Sequence, residues 1–149
     1  MARLAEQDVL RQLADLSADT KGLFWVAYSG GLDSQVLLHL SQKALPSAQL
    51  RAIHINHGLS PQADVWQEHC RLYCEQLKID LECRQVALDN PSSNLESQAR
   101  HARYAVFESL ITAEDYLLMA HHQDDQMETV LYRLLRGSGP KGLTGIPET

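Results

Sequence analysis

An alternation of short apolar runs with longer amphipathic segments is the feature of this sequence that most constrains its fold. Runs typical of buried strands occupy residues 24–28, 50–56, 81–88 and 116–120. Apolar residues recur at helical spacing over residues 4–16, 33–42, 61–78, 93–110 and 124–136. Because strands that alternate with helices form parallel sheets with right-handed crossovers, the sequence predicts an α/β fold, a doubly wound parallel sheet with helices on both faces. The third run is the least apolar, which predicts a place near a sheet edge.

Length and charge narrow the possible functions. The 149 residues fit one domain, and 13 basic residues against 19 acidic ones give a net charge of −6. That charge argues against a domain that holds nucleic acid by bulk electrostatics, although it leaves a local basic patch possible. No apolar run approaches the roughly 20 residues that a bilayer crossing needs, and the first 21 residues lack the apolar core of a secretion signal. We therefore expect a cytoplasmic protein that does not engage a membrane.

Two of the three cysteines, Cys70 and Cys74, are predicted to be buried thiols rather than metal ligands. Cys70 and Cys74 lie four residues apart among apolar residues of a predicted helix, and Cys83 follows on the third strand. Neither a CxxC spacing nor a second pair of ligands accompanies them, so metal ligation is the weaker interpretation.

The first strand ends in a glycine-rich turn that suits a phosphate group. Two glycines permit a tight turn with exposed backbone N–H groups, and the helix that follows adds positive potential at its N-terminus. A carboxylate at this place repels phosphate unless Mg²⁺ bridges the two. The alternative is an ordinary strand-to-helix turn capped by Asp33 or Ser34. The predicted nucleotide-binding residues are Ser29, Gly30, Gly31, Leu32, Asp33 and Ser34.

A second polar cluster, residues 121–129, follows the fourth strand. Asp125 and Glu128 share one face of the predicted last helix, although acidic residues in a first helical turn also occur as ordinary caps. In a doubly wound sheet the ligand crevice opens at the carboxyl ends of the strands, where the strand order reverses. If the first and fourth strands are neighbours there, Asp33 and Asp125 face each other across it, in a place that suits a nucleotide held through magnesium.

The set of motifs resembles the N-type ATP pyrophosphatases and, within them, the bacterial tRNA(Ile)-lysidine synthetases. The matching strings are SGGLDS at 29–34, INHGL at 55–59, ESQARHARY at 96–104, HHQDDQMET at 121–129 and RGSGPKGL at 136–143. The first string alone indicates only the superfamily, whereas the set, in this order, is specific. The resemblance implies a Rossmann-like fold of the adenine nucleotide alpha hydrolase type.

The resemblance also implies a reaction and a set of site residues. ATP adenylates the C2 oxygen of the wobble cytidine of a tRNA(Ile) with a CAU anticodon, and the ε-amine of L-lysine then displaces AMP to form lysidine. Residues 29–34 would hold the ATP phosphates, with Asp33 and Asp125 on Mg²⁺. His57 would approach the nucleotide, although a loop histidine is as often only solvated. His122, Asp125 and Glu128, with Asp33, would form the catalytic set.

Basic residues would lie on the tRNA side of this site. Arg100 and Arg103 are spaced along one helix face, where a solvated, salt-bridged surface is the alternative. Arg133, Arg136 and Lys141 flank a glycine-rich stretch that would close over the site or, alternatively, serve as a linker.

The chain departs from the family pattern in length. Family members extend well beyond 149 residues, so residues 1–149 would be the N-terminal catalytic domain, truncated at its end and lacking the domains that recognise tRNA. Two other functions stay open, a tRNA thiolase of the same superfamily and a non-catalytic nucleotide-binding module. The thiolases that act on cytidine generally carry lysine in the loop where this chain has Leu32, and paired CxxC cysteines. The oligomeric state is undetermined, with a homodimer as one option.

Overall fold

The computed structural model describes the backbone of residues 2–87, 95–123 and 126–133, and the side chains within 6–87 and 95–120. The helices are α1 (Ala2–Asp19), α2 (Leu32–Ala44), α3 (Ala63–Leu77) and α4 (Leu95–Leu110). The strands are β1 (Phe24–Ala27), β2 (Leu50–Asn56), β3 (Asp80–Gln85), β4 (Tyr116–Gln123) and β5 (Gln126–Arg133), and a short 3-10 turn at Ser47–Gln49 precedes β2. The predicted strands and first four helices are confirmed, with ends that differ by a few residues.

The strands form one sheet in the order β3-β2-β1-β4-β5. The first four are parallel, and Val26 on β1 lies between Ala52 on β2 and Leu118 on β4. The order along the chain therefore reverses between β1 and β4, as predicted, and β3 lies at an edge. The crevice of a doubly wound sheet is expected at such a reversal.

The predicted last helix, residues 124–136, is wrong where the structure describes it. Residues 126–133 form β5, which pairs antiparallel with β4, so the sheet is parallel only over four strands. Met127, Val130 and Leu131 have helical spacing, but short apolar segments fit either periodicity, and Thr129, Val130 and Tyr132 all favour strands. Pairing also satisfies the backbone N–H and C=O groups along the free edge of β4.

Alternating side chains of the strands divide the core into two layers. On one face, Phe24 and Val26 pack with residues of α1, α2 and α3, among them Leu13, Leu37 and Cys70. On the other face, Trp25 packs with Tyr104 and Phe107 of α4. Helices thus cover both faces of the sheet, as predicted. No described helix is both long and apolar enough to cross a membrane.

The cysteines behave as the sequence predicts. Cys70 and Cys74 are buried in the first of these layers, and all three thiols are free. Burial, with a smaller contribution from Cys83, raises the pKa of Cys70 to about 11, so its thiol stays protonated at neutral pH. A protonated thiol is a poor metal ligand.

A polar network joins β1 and β4 at their amino ends. The buried carboxylate of Asp115 accepts hydrogen bonds from Leu23 N at 2.8 Å, Trp25 Nε1 at 3.2 Å and Thr112 N at 3.0 Å. Beside it, a Cβ placed on Gly22 would lie 2.0 Å from the carbonyl oxygen of Glu114, so only glycine fits there. This end of the sheet is closed by groups that satisfy one another.

Candidate functional site

A cavity of about 670 Å³ opens at the carboxyl ends of β1, β2 and β4. Its walls come from the loops after β1 and β2, the first turns of α2 and α3, one side of α4 and the end of β4. The cavity therefore lies at the strand-order reversal, where the fold predicts a ligand site.

The loop after β1 holds its shape through a closed ring of hydrogen bonds. Gly31 N donates to Ser29 Oγ at 3.2 Å, the Ser29 and Ser34 hydroxyls lie 3.0 Å apart, and Ser34 Oγ donates to Gly31 O at 3.1 Å. Ser29 N also donates to Ser34 Oγ, at 3.2 Å. These bonds fold the loop back on the start of α2, which places the loop backbone along the cavity.

The N-terminus of α2 opens into the same cavity. The N-cap residue is Gly31, which makes no side-chain cap, so neither Asp33 nor Ser34 plays the capping role of the alternative interpretation. The first N–H groups of a helix have no intrahelical acceptor, and together they favour an anion. Asp33 lies in this first turn and lines the cavity.

The loop after β2 is held by Asn56. Its amide Nδ2 donates to Asp64 Oδ1 at 2.9 Å and to Gln67 Oε1 at 3.0 Å, and its Oδ1 accepts from Gly58 N. These bonds fix the β2–α3 loop, which carries His57, against α3. The structure thus gives Asn56, within the INHGL string, a structural role that the sequence alone did not indicate.

Three residues of the cavity wall carry a buried polar atom that has no hydrogen bond in the part of the chain that the structure describes. One is the hydroxyl of Tyr28, which packs in the core with Cys70, and the other two are His57 Nδ1 and Arg103 Nε. Burial lowers the pKa of His57 below its ordinary value of 6.5, and the nearby charges of Arg103 and His54 lower it further. Buried donors and acceptors are usually satisfied, so this pair indicates a place for an anionic or strongly polar ligand.

Trp66 forms part of the wall behind the loop. Its Nε1 donates to the carbonyl oxygen of Ser29 at 2.7 Å, and 44% of the residue is exposed. Trp66 lies at helical spacing from Cys70, Tyr73 and Leu77, and that spacing predicts a core residue rather than a contact with the loop. One signal could have indicated this contact: the tryptophan lies in the first turns of a helix that starts beside the carboxyl end of β2.

The structure brings together only part of the predicted site. Residues 29 and 31–34, His57 and Arg103 line the cavity, whereas Gly30 lies buried against α3. Arg100 does not line the cavity; its guanidinium lies over the ring of Tyr104, 4.9 Å from the centroid.

For some of the remaining predicted site residues the structure gives only the backbone register, and the others lie outside the described residues. Glu128 pairs with His121, and His122 pairs with Met127, near the carboxyl end of β4. Arg133 pairs with Tyr116 at the amino end, so the expectation that it borders the site is not met, because β5 runs antiparallel. Asp125, Arg136 and Lys141 lie outside the described residues.

The donor set suits a magnesium ion only together with phosphate. Among the described residues, no group of three or more His, Cys, Asp or Glu side chains could hold a metal alone. Asp33 nevertheless supplies a carboxylate at the cavity wall. Mg²⁺ is commonly held by one or two carboxylates, several waters and the phosphates of a substrate. Asp33 fits that arrangement.

These features define a class of protein, a doubly wound nucleotide-binding domain with a glycine-rich phosphate loop. Residues 4–149 match the PP-loop domain, and the chain belongs to that family. It is 50% identical to the tRNA(Ile)-lysidine synthase of Yersinia pseudotuberculosis over 125 residues, which cover 81% of this chain and 28% of that protein. It is also 50% identical to the tRNA(Ile)-lysidine synthase of Alkalilimnicola ehrlichii over 147 residues, which cover 96% of this chain and 32% of that protein.

The chain thus spans less than a third of the length of these relatives. Among solved structures, the U34-tRNA thiolase NcsA from Methanococcus maripaludis is similar with a TM-score of 0.53 and 20% identity, over 80% of this chain and 48% of that one. At that identity the similarity shows the fold alone.

Proposed function

We propose that this chain is the N-terminal, ATP-using catalytic domain of a tRNA(Ile)-lysidine synthase that acts in the cytoplasm. The observation that carries the proposal is the open phosphate loop beside two unpartnered polar atoms, His57 Nδ1 and Arg103 Nε, in a chain half identical to enzymes of that name. The proposed substrates are ATP, L-lysine and a tRNA(Ile) with a CAU anticodon.

The proposed reaction has two steps. The C2 oxygen of the wobble cytidine attacks the α-phosphorus of ATP, and pyrophosphate leaves. The ε-amine of lysine then attacks C2, loses a proton, and AMP leaves with the C2 oxygen. In the first step, the backbone N–H groups of residues 29–34 and the helix N-terminus would bind the phosphates, because these groups present positive potential to the cavity.

Arg103 and His57 would complete the phosphate site. Both line the cavity, and each has a buried nitrogen that a phosphate oxygen could satisfy. Charge-assisted hydrogen bonds of this kind are stronger than neutral ones. Asp33, together with Asp125, would hold Mg²⁺, which would supply positive charge beside the phosphates as pyrophosphate leaves.

The lysine site is proposed from the family resemblance. His122, Asp125 and Glu128 would receive the lysine ammonium and help to deprotonate it before attack. Arg100, Arg136 and Lys141 would lie toward the tRNA. The strand register supports this lysine site only through the backbone positions of His122 and Glu128, which lie near the carboxyl end of β4. That end of β4 also contributes Met119 and Ala120 to the cavity.

The test uses the complete protein with MgATP, labelled lysine and a tRNA(Ile) transcript bearing the CAU anticodon. We expect label in the RNA together with AMP, and none with a matched transcript whose wobble base is uridine. AMP without lysine in the RNA would overturn the proposed nucleophile and favour the thiolase. Binding of ATP without turnover would favour the non-catalytic module, and ADP as the product would overturn the proposal.

Asp33→Ala tests the proposed metal ligand in the same assay. We expect turnover to fall at least about 100-fold, because charge on the phosphates would no longer be balanced. Asp80→Ala removes an exposed carboxylate on the edge strand and serves as the matched control. Equal rates for the two variants would remove Asp33 from the proposed metal site.

A further inference from the structure

We infer that Trp66 is a positioning residue for the phosphate loop: its indole N–H fixes the Ser29 carbonyl on α3 and thereby holds the loop backbone in the conformation that lines the cavity. The inference rests on the proposed function, since it assumes that the loop binds the phosphates of a nucleotide. It concerns a residue of α3, outside the loop itself.

The hydrogen bond is short and its donor is held in place. Trp66 Nε1 lies 2.7 Å from Ser29 O, 37 residues away in the chain. The indole stacks on the ring of His69, with centroids 5.0 Å apart and an angle of 15° between the planes. Since His69 lies three residues further along the same helix, the two rings support each other and limit the rotamers of Trp66.

Peptide geometry connects this hydrogen bond to the loop amide. In a planar trans peptide the carbonyl of one residue and the N–H of the next point in opposite directions. Fixing the Ser29 carbonyl on α3 therefore turns the Gly30 N–H away from α3. A loop that is already held in one conformation loses less freedom when a ligand binds.

Close packing at Gly30 reinforces the same orientation. Gly30 has φ +92°, and a Cβ placed there would lie 2.6 Å from Trp66 Nε1 and 2.8 Å from Cys70 Sγ. The loop thus rests directly on α3, with no room for a side chain between them. The ring of hydrogen bonds through Ser29 and Ser34 ties the loop to α2, and Trp66 ties it to α3.

The second tryptophan of the chain provides a matched comparison. Trp25 is 7% exposed and donates its N–H to Asp115, at the opposite end of the sheet. Trp66 is 44% exposed, yet it donates its N–H to a loop carbonyl. Burial in the core explains the position of Trp25, whereas Trp66 differs from it by its hydrogen bond to the phosphate loop.

The experiment compares three variants of the complete protein in MgATP binding. Trp66→Phe keeps an aromatic ring without a donor, and 3-benzothienylalanine at position 66 keeps the bicyclic shape with sulfur in place of the N–H. Trp25→Phe removes the corresponding donor away from the cavity. We expect both changes at position 66 to raise the Kd by about five- to tenfold, the size of one hydrogen bond, and Trp25→Phe to leave it within about twofold.

Fluorine NMR shows whether the ligand reaches the contact between Trp66 and the loop, while the benzothienylalanine variant isolates the role of the N–H. In protein labelled with 5-fluorotryptophan, the resonance that disappears in Trp66→Phe belongs to Trp66, and that lost in Trp25→Phe belongs to Trp25. We expect MgATP to shift the first resonance and to leave the second in place.

The outcomes separate this inference from the proposed function. Normal affinity in Trp66→Phe, or with benzothienylalanine, would overturn the role of the N–H while ATP binding stands. Equal weakening in Trp25→Phe would also overturn it, because the effect would then be general destabilisation. Failure of the unaltered protein to bind MgATP would overturn the proposed function, and the inference with it.

Discussion

At the amino ends of β1 and β4, the buried carboxylate of Asp115 accepts hydrogen bonds from three N–H donors. At the carboxyl ends of the same sheet, His57 Nδ1 and Arg103 Nε are also buried atoms, but no described residue forms a hydrogen bond with them. Both ends carry buried polar atoms, and within the described residues only the amino end satisfies these atoms with hydrogen bonds. Because burying an unsatisfied polar atom costs free energy, the second arrangement is expected where a ligand completes it.

The two ends also differ in what their glycines do. Gly22 at the amino end lies against the backbone of Glu114, so its contact closes the sheet. Gly30 at the carboxyl end has φ +92° and rests on Trp66, so its contact shapes a loop beside a cavity. The comparison predicts that changes at the amino end alter stability, and that changes at the carboxyl end alter binding.

The largest effect is expected for Asp115→Ala. The substitution leaves the buried Trp25 Nε1 and the N–H groups of Leu23 and Thr112 without their acceptor, which should cost about 3 to 4 kcal/mol. Native-state hydrogen exchange of β1 and β4 amides measures this locally in the complete protein. MgATP affinity should change little.

Glu114→Ala is the matched control for that measurement. Its side chain is exposed and only its backbone carbonyl joins the network, so we expect a change within about 0.5 kcal/mol. Equal protection of the amides in the two variants would show that the Asp115 network does not hold the sheet.

An intermediate effect is expected for Arg103→Gln. Loss of a charged donor from the cavity should weaken MgATP binding by about 10- to 30-fold. The free energy of unfolding should change little, because the lost contact with the Tyr104 ring is offset by removal of a buried nitrogen that has no hydrogen bond in the described structure. Calorimetric titration measures the first quantity and hydrogen exchange the second.

Arg71→Gln provides the contrast for Arg103. The Arg71 guanidinium is ion-paired to Glu68 and Glu75 on the exposed face of α3. Such surface pairs contribute little, so neither affinity nor stability should change by much. A large loss of stability in Arg103→Gln with unchanged MgATP affinity would contradict the proposal that changes at the carboxyl end of the sheet alter binding rather than stability.

Local chemistry explains how much of this fold and site the sequence could predict. The turn after β1 depends on adjacent residues, two glycines followed by a helix, so the sequence alone predicts a phosphate loop at residues 29–34. The parallel sheet with helices on both faces followed from strand and helix alternation, whereas the pairing of β1 with β4 entered only as a condition, which the structure meets. Each of these predictions needed only neighbouring residues and general rules of topology.

Contacts between distant residues explain most of what was missed. Trp66 reaches Ser29 across 37 residues and Asp115 reaches Trp25 across 90, and helical periodicity does not specify such partners. The prediction of a helix over 124–136 failed for a different reason. Residues 127–131 fit helical spacing, but pairing with the free edge of β4 determined the outcome.

The smallest effect is expected in the titration of His57. In the free protein burial lowers its pKa below 6.5, and Arg103 and His54 add to the shift. A bound phosphate brings negative charge and should raise the pKa of His57. Histidine NMR measures both states, with and without a non-hydrolysable ATP analogue and Mg²⁺, and His57→Gln identifies the resonance.

The direction of each pKa shift of His57 determines how stability and ligand affinity depend on pH. Because the folded pKa lies below the unfolded value, the contribution of His57 to stability in the free protein is present above about pH 6.5 and is lost as the pH falls below it. Because the ligand raises the pKa, binding takes up a proton, and the contribution of His57 to affinity grows as the pH falls between the bound and free values. The exposed His39 on α2 is the reference resonance, which the analogue should leave in place. A His57 pKa unchanged by the analogue would mean that the unpartnered nitrogen at the carboxyl end does not face the phosphates, and the contrast between the two ends would then rest on Arg103 alone.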